Sequence, residues 1–393
     1  MSPRGTSPGG ENLTFFAYLL VIVSLAGALF TVACAFVARA QLKLWGGPAG
    51  ANPKLPPVTI LRPLHGASPG LEEALASTLE QDYSAPVQLV CGIQNGADPA
   101  RGVVEALRQR FPNRDIELVV DPRLYGANRK ISNLINMFRA ARYDSLVIAD
   151  ADIVAAPNWL SATIGALSRP KAGVASCFYI GEGSGPWGRL LAMGITYQFL
   201  PGAVFGMIVG LARPCFGATM ALTRQKLAEI GGFEAFRDSL ADDYEIGRII
   251  RSKGYEIVYP GVLVRHLCSE RNWSAFWVQE LRWARTVRSV NPVGHLGSLL
   301  THALPLSLIA AALLSFSPQA LTGVGVVLAA RLFLKTEMDH MVGSSSGPIW
   351  LLPVRDLLSF AIFMASLAGA PTVNWRGDRF RIGKDGVMSQ VSG

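Results

Sequence analysis

From Asn12 to Ala38 the chain carries no charged residue, and this run of 27 residues constrains everything after it. A helix that crosses a bilayer needs about 20 apolar residues, so the run is long enough to span. A secretory signal is the alternative reading. Its apolar core would be too long, and no basic stretch sits directly against it. Arg39, Lys43 and Lys54 follow the run, whereas Arg4 and Glu11 precede it and cancel. The basic excess places the following side in the cytoplasm. Residues 12–38 therefore read as an uncleaved transmembrane anchor behind an N-terminal tail, residues 1–11.

Composition agrees with a membrane protein that also has a globular part. Half of the 393 residues are hydrophobic and only 16% are charged, against roughly a quarter in soluble domains. An ordinary soluble enzyme is excluded, and so is a disordered chain, which could not carry so much apolar surface. The 36 Lys and Arg against 28 Asp and Glu give +8, which suits anionic headgroups, phosphates or nucleic acid. A membrane partner is expected and no nucleic acid. Cys34, Cys91, Cys177, Cys215 and Cys268 stand singly, without metal-ligand spacing. They read as buried, reduced thiols of a domain facing a reducing cytosol.

After a linker at residues 51–57, apolar strand candidates at Val58–Leu61, Val87–Ile93, Ile116–Val120 and Leu146–Ala149 alternate with helical patterns. These patterns cover Pro69–Gln81, Pro99–Phe111 and about Lys130–Arg142, with Ser68 and Asp98 placed to cap the first two. The order predicts an α/β fold with a mostly parallel sheet, whose ligands bind at the carboxyl ends of strands. A strand at Gly173–Ile180, a helix at about Asp243–Lys253 and a strand at Glu256–Tyr259 follow. The uncharged stretch Leu190–Ala212 is rich in Gly and reads as an irregular apolar segment near the membrane surface rather than a crossing. No charge occurs between Arg288 and Arg331, 42 residues that allow two spans with a turn near Ser315–Pro318. A third apolar stretch, Ile349–Pro371, is interrupted by Arg355 and Asp356. The basic tail (Trp375, Arg376, Arg379, Arg381, Lys384) favours a cytoplasmic end. The organisation expected is thus a catalytic domain over 55–268, an interfacial helix over 269–291, spanning or re-entrant helices over 292–371 and a tail over 372–393.

Four constellations carry chemistry. In LVIADADI, residues 146–153, an apolar strand runs into Asp150 and Asp152, which project to the same side. Two carboxylates at a strand end suit a hard divalent cation, Mg²⁺ or Mn²⁺, that also binds phosphate oxygens. In NRKISNL, residues 128–134, Asn128, Lys130 and Asn133 gather at a helix start, where a phosphate is favoured. In LADDYEIG, residues 240–247, the spacing from Asp242 to Glu245 resembles a capping box. Asp242 is then the cap and Asp243 the free carboxylate, ionised by the helix dipole and able to act as a base; the two assignments could be exchanged. In residues 269–290, Trp273, Phe276, Trp277 and Leu281 recur at helical spacing, followed by Arg282, Arg285 and Arg288. That pattern describes an amphipathic interfacial helix. Within it, Gln279, Arg282 and Trp283 form Q-x-x-R-W.

The ordered set of early Asp, N-x-K-x-x-N, D-x-D, D-D and Q-x-x-R-W before membrane spans resembles membrane-bound glycosyltransferases of the family-2/21 type. It is most similar to the ceramide glucosyltransferases and their bacterial, hopanoid-glycosylating relatives, over roughly residues 13–385. The resemblance implies a GT-A nucleotide-sugar fold and inverting transfer from a UDP-sugar, glucose or N-acetylglucosamine, to a lipid hydroxyl. It implies that Asp98 of QNGADPA helps bind uridine and that Asp150 and Asp152 serve the metal and diphosphate. It further implies Asp243 as base, with Gln279, Arg282 and Trp283 as the signature, in an integral protein of a bacterial inner membrane. Animal members have His-Pro where this chain has Leu200-Pro201, which leaves both ceramide and hopanoid open as acceptor. A processive polysaccharide synthase shares D-x-D and Q-x-x-R-W but should have more spans. A receptor or transporter would explain the spans but not the carboxylates at strand ends.

Overall fold

The computed structural model describes residues 8–45, 55–368, 372–375, 378–383 and 386–390. Lys54, residues 51–54 of the linker, Arg4, Arg376 and Lys384 lie outside the described residues.

The uncharged N-terminal run folds as helix α1 (Pro8–Trp45), about 57 Å long at 1.5 Å per residue. Leu13, Phe15, Phe16, Tyr18, Ile22 and Leu29 are exposed along it, a surface that suits lipid and not water. The α/β domain follows in chain order. It contains β1 (Val58–Pro63), α2 (Leu71–Leu79), β2 (Val87–Ile93), α3 (Ala100–Arg110), β3 (Asp115–Val120), α4 (Arg129–Phe138) and β4 (Ser145–Ile148). Next come β5 (Ile153–Val154), α5 (Trp159–Ala166), β6 (Ala172–Ser176) and β7 (Phe178–Gly183).

The main sheet has seven strands in the order β3-β2-β1-β4-β8-β6-β9, where β8 is Met220–Thr223 and β9 is Glu256–Val258. Its first four strands are parallel, as expected. β8 runs antiparallel to β4 and β6, so the sheet is mixed rather than mostly parallel throughout. Alternate residues of β1 and β4 enter different cores: Leu61, Leu146 and Ile148 face one side, Ile60 and Val147 the other. Burial on both faces explains why these strands read as largely apolar runs rather than as alternating ones.

Three expectations need correction. The single strand Gly173–Ile180 is divided at Cys177, whose N–H bonds to the Thr219 carbonyl while its thiol packs under Trp159. Beyond that point β7 leaves the main sheet and pairs with β10 (Leu263–Cys268) in a second sheet, β5-β10-β7. Ser68 does not cap α2. Gly70 occupies that position at φ 85°, a left-handed conformation that glycine adopts at little cost. The Leu190–Ala212 stretch is not irregular: α6 (Gly185–Gly194), a π-turn (Ile195–Phe199) and α7 (Leu200–Ile208) make one continuous helix.

At the C-terminal side, α8 (Arg224–Glu229) and α9 (Asp242–Ser252) complete the domain. α10 (Trp273–Val290), α11 (Pro292–Gly297), α12 (Ala303–Leu313), α13 (Pro318–Val342) and α14 (Leu352–Leu367) follow. The turn between α12 and α13 falls where the sequence placed it, with Ser315 and Phe316 at positive φ. α1 packs on α7, α12 and α13. A Cβ on Gly27 would lie 2.5 Å from the Leu300 carbonyl oxygen, so glycine is what lets these helices close. Among the described residues, four helical segments are long and apolar enough to cross a membrane: Asn12–Leu44, Gly185–Ile208, Pro292–Leu313 and Ile349–Leu367. Ala35 and Ala38 of α1 and Leu334 and Met338 of α13 share one core with α4, so bundle and sheet are packed as one body. All five cysteines are free and buried, as expected.

Candidate active site

The strand order reverses between β1 and β4, which opens a crevice beyond their carboxyl ends. The chain leaves β4 there, with the Ala149 N–H still bonded to the Leu61 carbonyl at 3.2 Å, and presents Asp150 and Asp152. Arg62 of β1 is fully buried beneath them and donates to the Ile153 carbonyl at 2.9 Å. Burial pushes its guanidinium down to about 10, against the opposing pull of Cys91, Asp152 and Asp150. Sequence reasoning passed over Arg62, although an arginine inside a buried strand is rare enough to be a signal.

Asn128 caps α4 by accepting from the Ile131 N–H at 3.0 Å. Lys130, the second residue of α4, meets Asp150 at 2.7 Å and Asp242 at 3.3 Å. Burial alone would lower the Lys130 ammonium, but Asp150, Asp242 and Asp243 outweigh it and hold the group above its ordinary value. The two amides expected beside it are engaged elsewhere. Asn128 Nδ2 donates to Ser239 O at 2.8 Å, and buried Asn133 donates to the Gly92 carbonyl at 2.8 Å, tying α4 to β2.

Asp242 is the first residue of α9 and its side chain caps nothing, contrary to the capping-box reading. Long-range partners won: its carboxylate turns inward to Lys130 and to Asn128 Nδ2, the latter at 3.4 Å. Asp243 accepts from the Gly217 N–H and the Tyr244 N–H, each at 2.8 Å. The helix dipole does not keep it readily ionised. Burial and the charge of Asp242 raise it from 3.8 to about 6, while Lys130 and the two amide hydrogen bonds act the other way. Gly217 is the hub that sequence reasoning missed. A Cβ there would stand 3.1 Å from both Asp150 Oδ2 and Lys130 Nζ and 3.5 Å from Asp243 Oδ2.

Asp152 faces His266 of β10, with 3.4 Å between Oδ2 and Nε2. The His266 ring lies 5.8 Å from Trp283 and 5.9 Å from Tyr179, and Tyr179 continues to Phe199 and Phe216. Neither His266 nor Tyr179 stood out in the sequence, because each is a lone residue in a strand. Arg282 donates to Gln279 at 3.0 Å. Burial lowers its guanidinium, and Asp150, Asp152 and Asp243 oppose that, so Arg282 feels the same acidic cluster. Asp98 holds a different station. It accepts from Gly66 N at 3.0 Å and Ala100 N at 2.9 Å, joining the loop after β1 to the start of α3. A cleft of about 760 Å³ runs between Ser68, Glu270, Asn272 and Gln279.

No three His, Cys, Asp or Glu side chains form a ready metal cage among the described residues. Asp152 Oδ1 is nevertheless buried without a hydrogen-bond partner. A hard divalent ion commonly takes one or two carboxylates and completes its shell with substrate phosphates and water. The donor set fits such an ion.

The sequence model of glycosyl transferase family 21 matches residues 18–388. Ceramide glucosyltransferase 1 of Caenorhabditis elegans is 24% identical over 355 residues, 84% of this chain and 72% of that protein. A ceramide glucosyltransferase of Komagataella phaffii is 30% identical over 192 residues, 47% of this chain and 36% of that protein. Among solved structures, a mannosyltransferase from Pyrobaculum calidifontis in complex with GDP-Man and Mn²⁺ is similar at TM-score 0.50 and 21% identity. The match covers 88% of this chain and 99% of that one, and it shows the GT-A fold.

Proposed function

The chain belongs to glycosyl transferase family 21, and on that premise we propose that it moves one sugar, glucose or N-acetylglucosamine, from a UDP-sugar to the hydroxyl of a membrane lipid, ceramide or hopanoid. Transfer inverts the anomeric centre. The observation that carries this reading is the single hub at Gly217, around which Asp243, Asp150 and Lys130 converge. A base, a diphosphate-side carboxylate and a cation within one side chain's reach are the parts that a direct displacement needs.

Asp243 takes the proton of the acceptor hydroxyl as that oxygen attacks the anomeric carbon. The bond from that carbon to the diphosphate oxygen breaks, and its electron pair leaves with UDP. Its raised pKa makes Asp243 a better proton acceptor than an ordinary aspartate, while it remains mostly ionised at pH 7. Arg282 neutralises charge developing on UDP. Lys130 restrains Asp150 and Asp242 through its two ion pairs. Asp150 and Asp152 would hold Mg²⁺ or Mn²⁺, which would supply positive charge at the leaving diphosphate. Asp98 would contact the uracil end, Gln279 would orient Arg282, and Trp283 would wall the acceptor side. The lipid would enter from the helical bundle past Phe199 and Tyr179. The basic residues Arg39 and Lys43 near the C-terminal end of α1 support an active site on the cytoplasmic side of the membrane, here a bacterial inner membrane.

The test is purified protein in lipid nanodiscs with Mn²⁺, a panel of UDP-hexoses and ceramide or hopanoid. The reading expects UDP release that requires both lipid and metal, and a β-linked monoglycosylated lipid from an α-linked donor. Polymer in the product would favour a processive synthase instead. No lipid-dependent UDP release with any donor would contradict the reading.

A further inference from the structure

On α10, Phe276 and Glu280 are buried side chains one turn apart, while Gln279 and Arg282 lie on another face. At 3.6 residues per turn, Gln279 and Arg282 stand about 100° and 160° around the helix from Glu280. Glu280, 8% exposed, pairs with Arg355 of α14, 4% exposed, at 2.9 Å. Arg355 is a costly residue to keep there. Its Nε and Nη1 are buried without hydrogen-bond partners. It also demands a glycine opposite, because a Cβ on Gly194 would stand 2.1 Å from its Nη2. Its neighbour Asp356 binds Arg331 of α13 at 2.6 and 2.8 Å, and Arg331 donates to the Tyr197 carbonyl of the π-turn at 2.9 Å. Hence α10 is joined through α14 to α13 and to the π-turn helix. A buried pair of this kind commonly adds little stability over apolar side chains of the same size.

We infer that Glu280 and Arg355 are positioning residues: their ion pair fixes the rotation of α10 about its own axis, so that the membrane helices set where Arg282 meets the nucleotide diphosphate. This deepens the glycosyl-transfer reading and rests on it. A rotation of about 20° would move a side-chain end about 2 Å, and displacements near 1 Å can cost about a hundredfold in rate. Phe276 alone chooses a rotation less sharply, since its ring meets Trp187 of α6 at 5.9 Å between centroids, an apolar contact without a directional bond.

The test replaces the pair by Glu280→Met with Arg355→Met and reads UDP affinity by calorimetry with Mn²⁺, turnover, and melting temperature. The expected result is a melting temperature at or above the parent's, with UDP affinity and turnover each lowered by about tenfold. In an Arg282→Ala background the same swap should change UDP affinity by less than about twofold, because its effect runs through Arg282. Overturning results are an unchanged affinity and turnover in the swap, or losses that add in full to those of Arg282→Ala. If the swap does not fold, Glu280→Gln carries the test. It keeps the packing but weakens the bond to Arg355, and a UDP affinity equal to the parent's would overturn the inference. A parent chain that binds no UDP overturns the donor reading and this inference with it. A parent that binds UDP while the swap is indifferent overturns this inference alone.

Discussion

Asp243→Asn separates the chemistry of this site from its stability. The rise of the carboxyl from 3.8 to about 6 amounts to about 3 kcal/mol of preference for the neutral acid. The native group binds its proton more tightly than the unfolded one, so its stabilising effect is complete below about pH 4 and is lost as pH rises through about 6. At pH 7 the ionised side chain therefore weighs against the fold. Asparagine removes that burden but supplies only one acceptor oxygen, where the carboxylate meets the N–H groups of both Gly217 and Tyr244. One donor is left facing an amide N–H, at about 1–3 kcal/mol. The two terms nearly cancel at pH 7, so the variant should be at most about 2 kcal/mol more stable than the parent. Its stability relative to the parent should also be about 1 kcal/mol more favourable at pH 7 than at pH 5. Turnover should fall about 10²–10⁴-fold, the usual contribution of a general base, while UDP affinity holds. Paired denaturation curves at the two pH values, with product lipid measured under saturating donor, check both halves. A stability difference independent of pH would refute the buried, raised carboxyl, and near-parental turnover would refute its role as base.

Asp242→Asn should move the acid limb of the pH–rate profile below its parental position near pH 6, because the lost charge is one that raises Asp243; a limb that stays in place would contradict the coupling. Gly217→Ala should lower turnover by about tenfold or more with little loss of stability, since the new methyl stands 3.1 Å from Asp150 and Lys130. Parental turnover in that variant would remove the hub from the account. Asp150→Ala and Asp152→Ala should each weaken Mn²⁺-dependent UDP binding by about tenfold or more and erase the effect of EDTA on it. Titration with UDP, with and without the chelator, reads this directly, and an unchanged EDTA effect in both would contradict it.

The parallel half of the sheet was legible because β1, β2 and β4 are buried on both faces and the strands are joined by helices. The anchor was legible for a similar reason, as length and absence of charge are properties of the chain alone. What sequence reading misjudged depends on distant partners. Asp242 has the spacing of a cap, yet Lys130 and Asn128, more than a hundred positions away, take its carboxylate. Leu190–Ala212 has the glycines of a loop, yet one of them is needed so that Arg355 can lie against the helix. The strand at Gly173–Ile180 has unbroken apolar character, but a sequence cannot tell that β6 and β7 belong to different sheets. In the candidate site, carboxylates in D-x-D and D-D drew notice as pairs. Gly217, His266 and Arg62 are single residues whose meaning exists only once the strands are side by side.

The central claim, one sugar moved onto a membrane lipid by a chain whose base is Asp243, is tested most directly by mass spectrometry of lipids. The parent and Asp243→Asn would be expressed in a host without glycolipids and fed ceramide or hopanoid. A single hexose or N-acetylhexosamine increment on one fed lipid is expected in the parent extract, with its near absence in the variant at equal protein level. Extracts that show no increment in the parent, or the same increment in both, would contradict it.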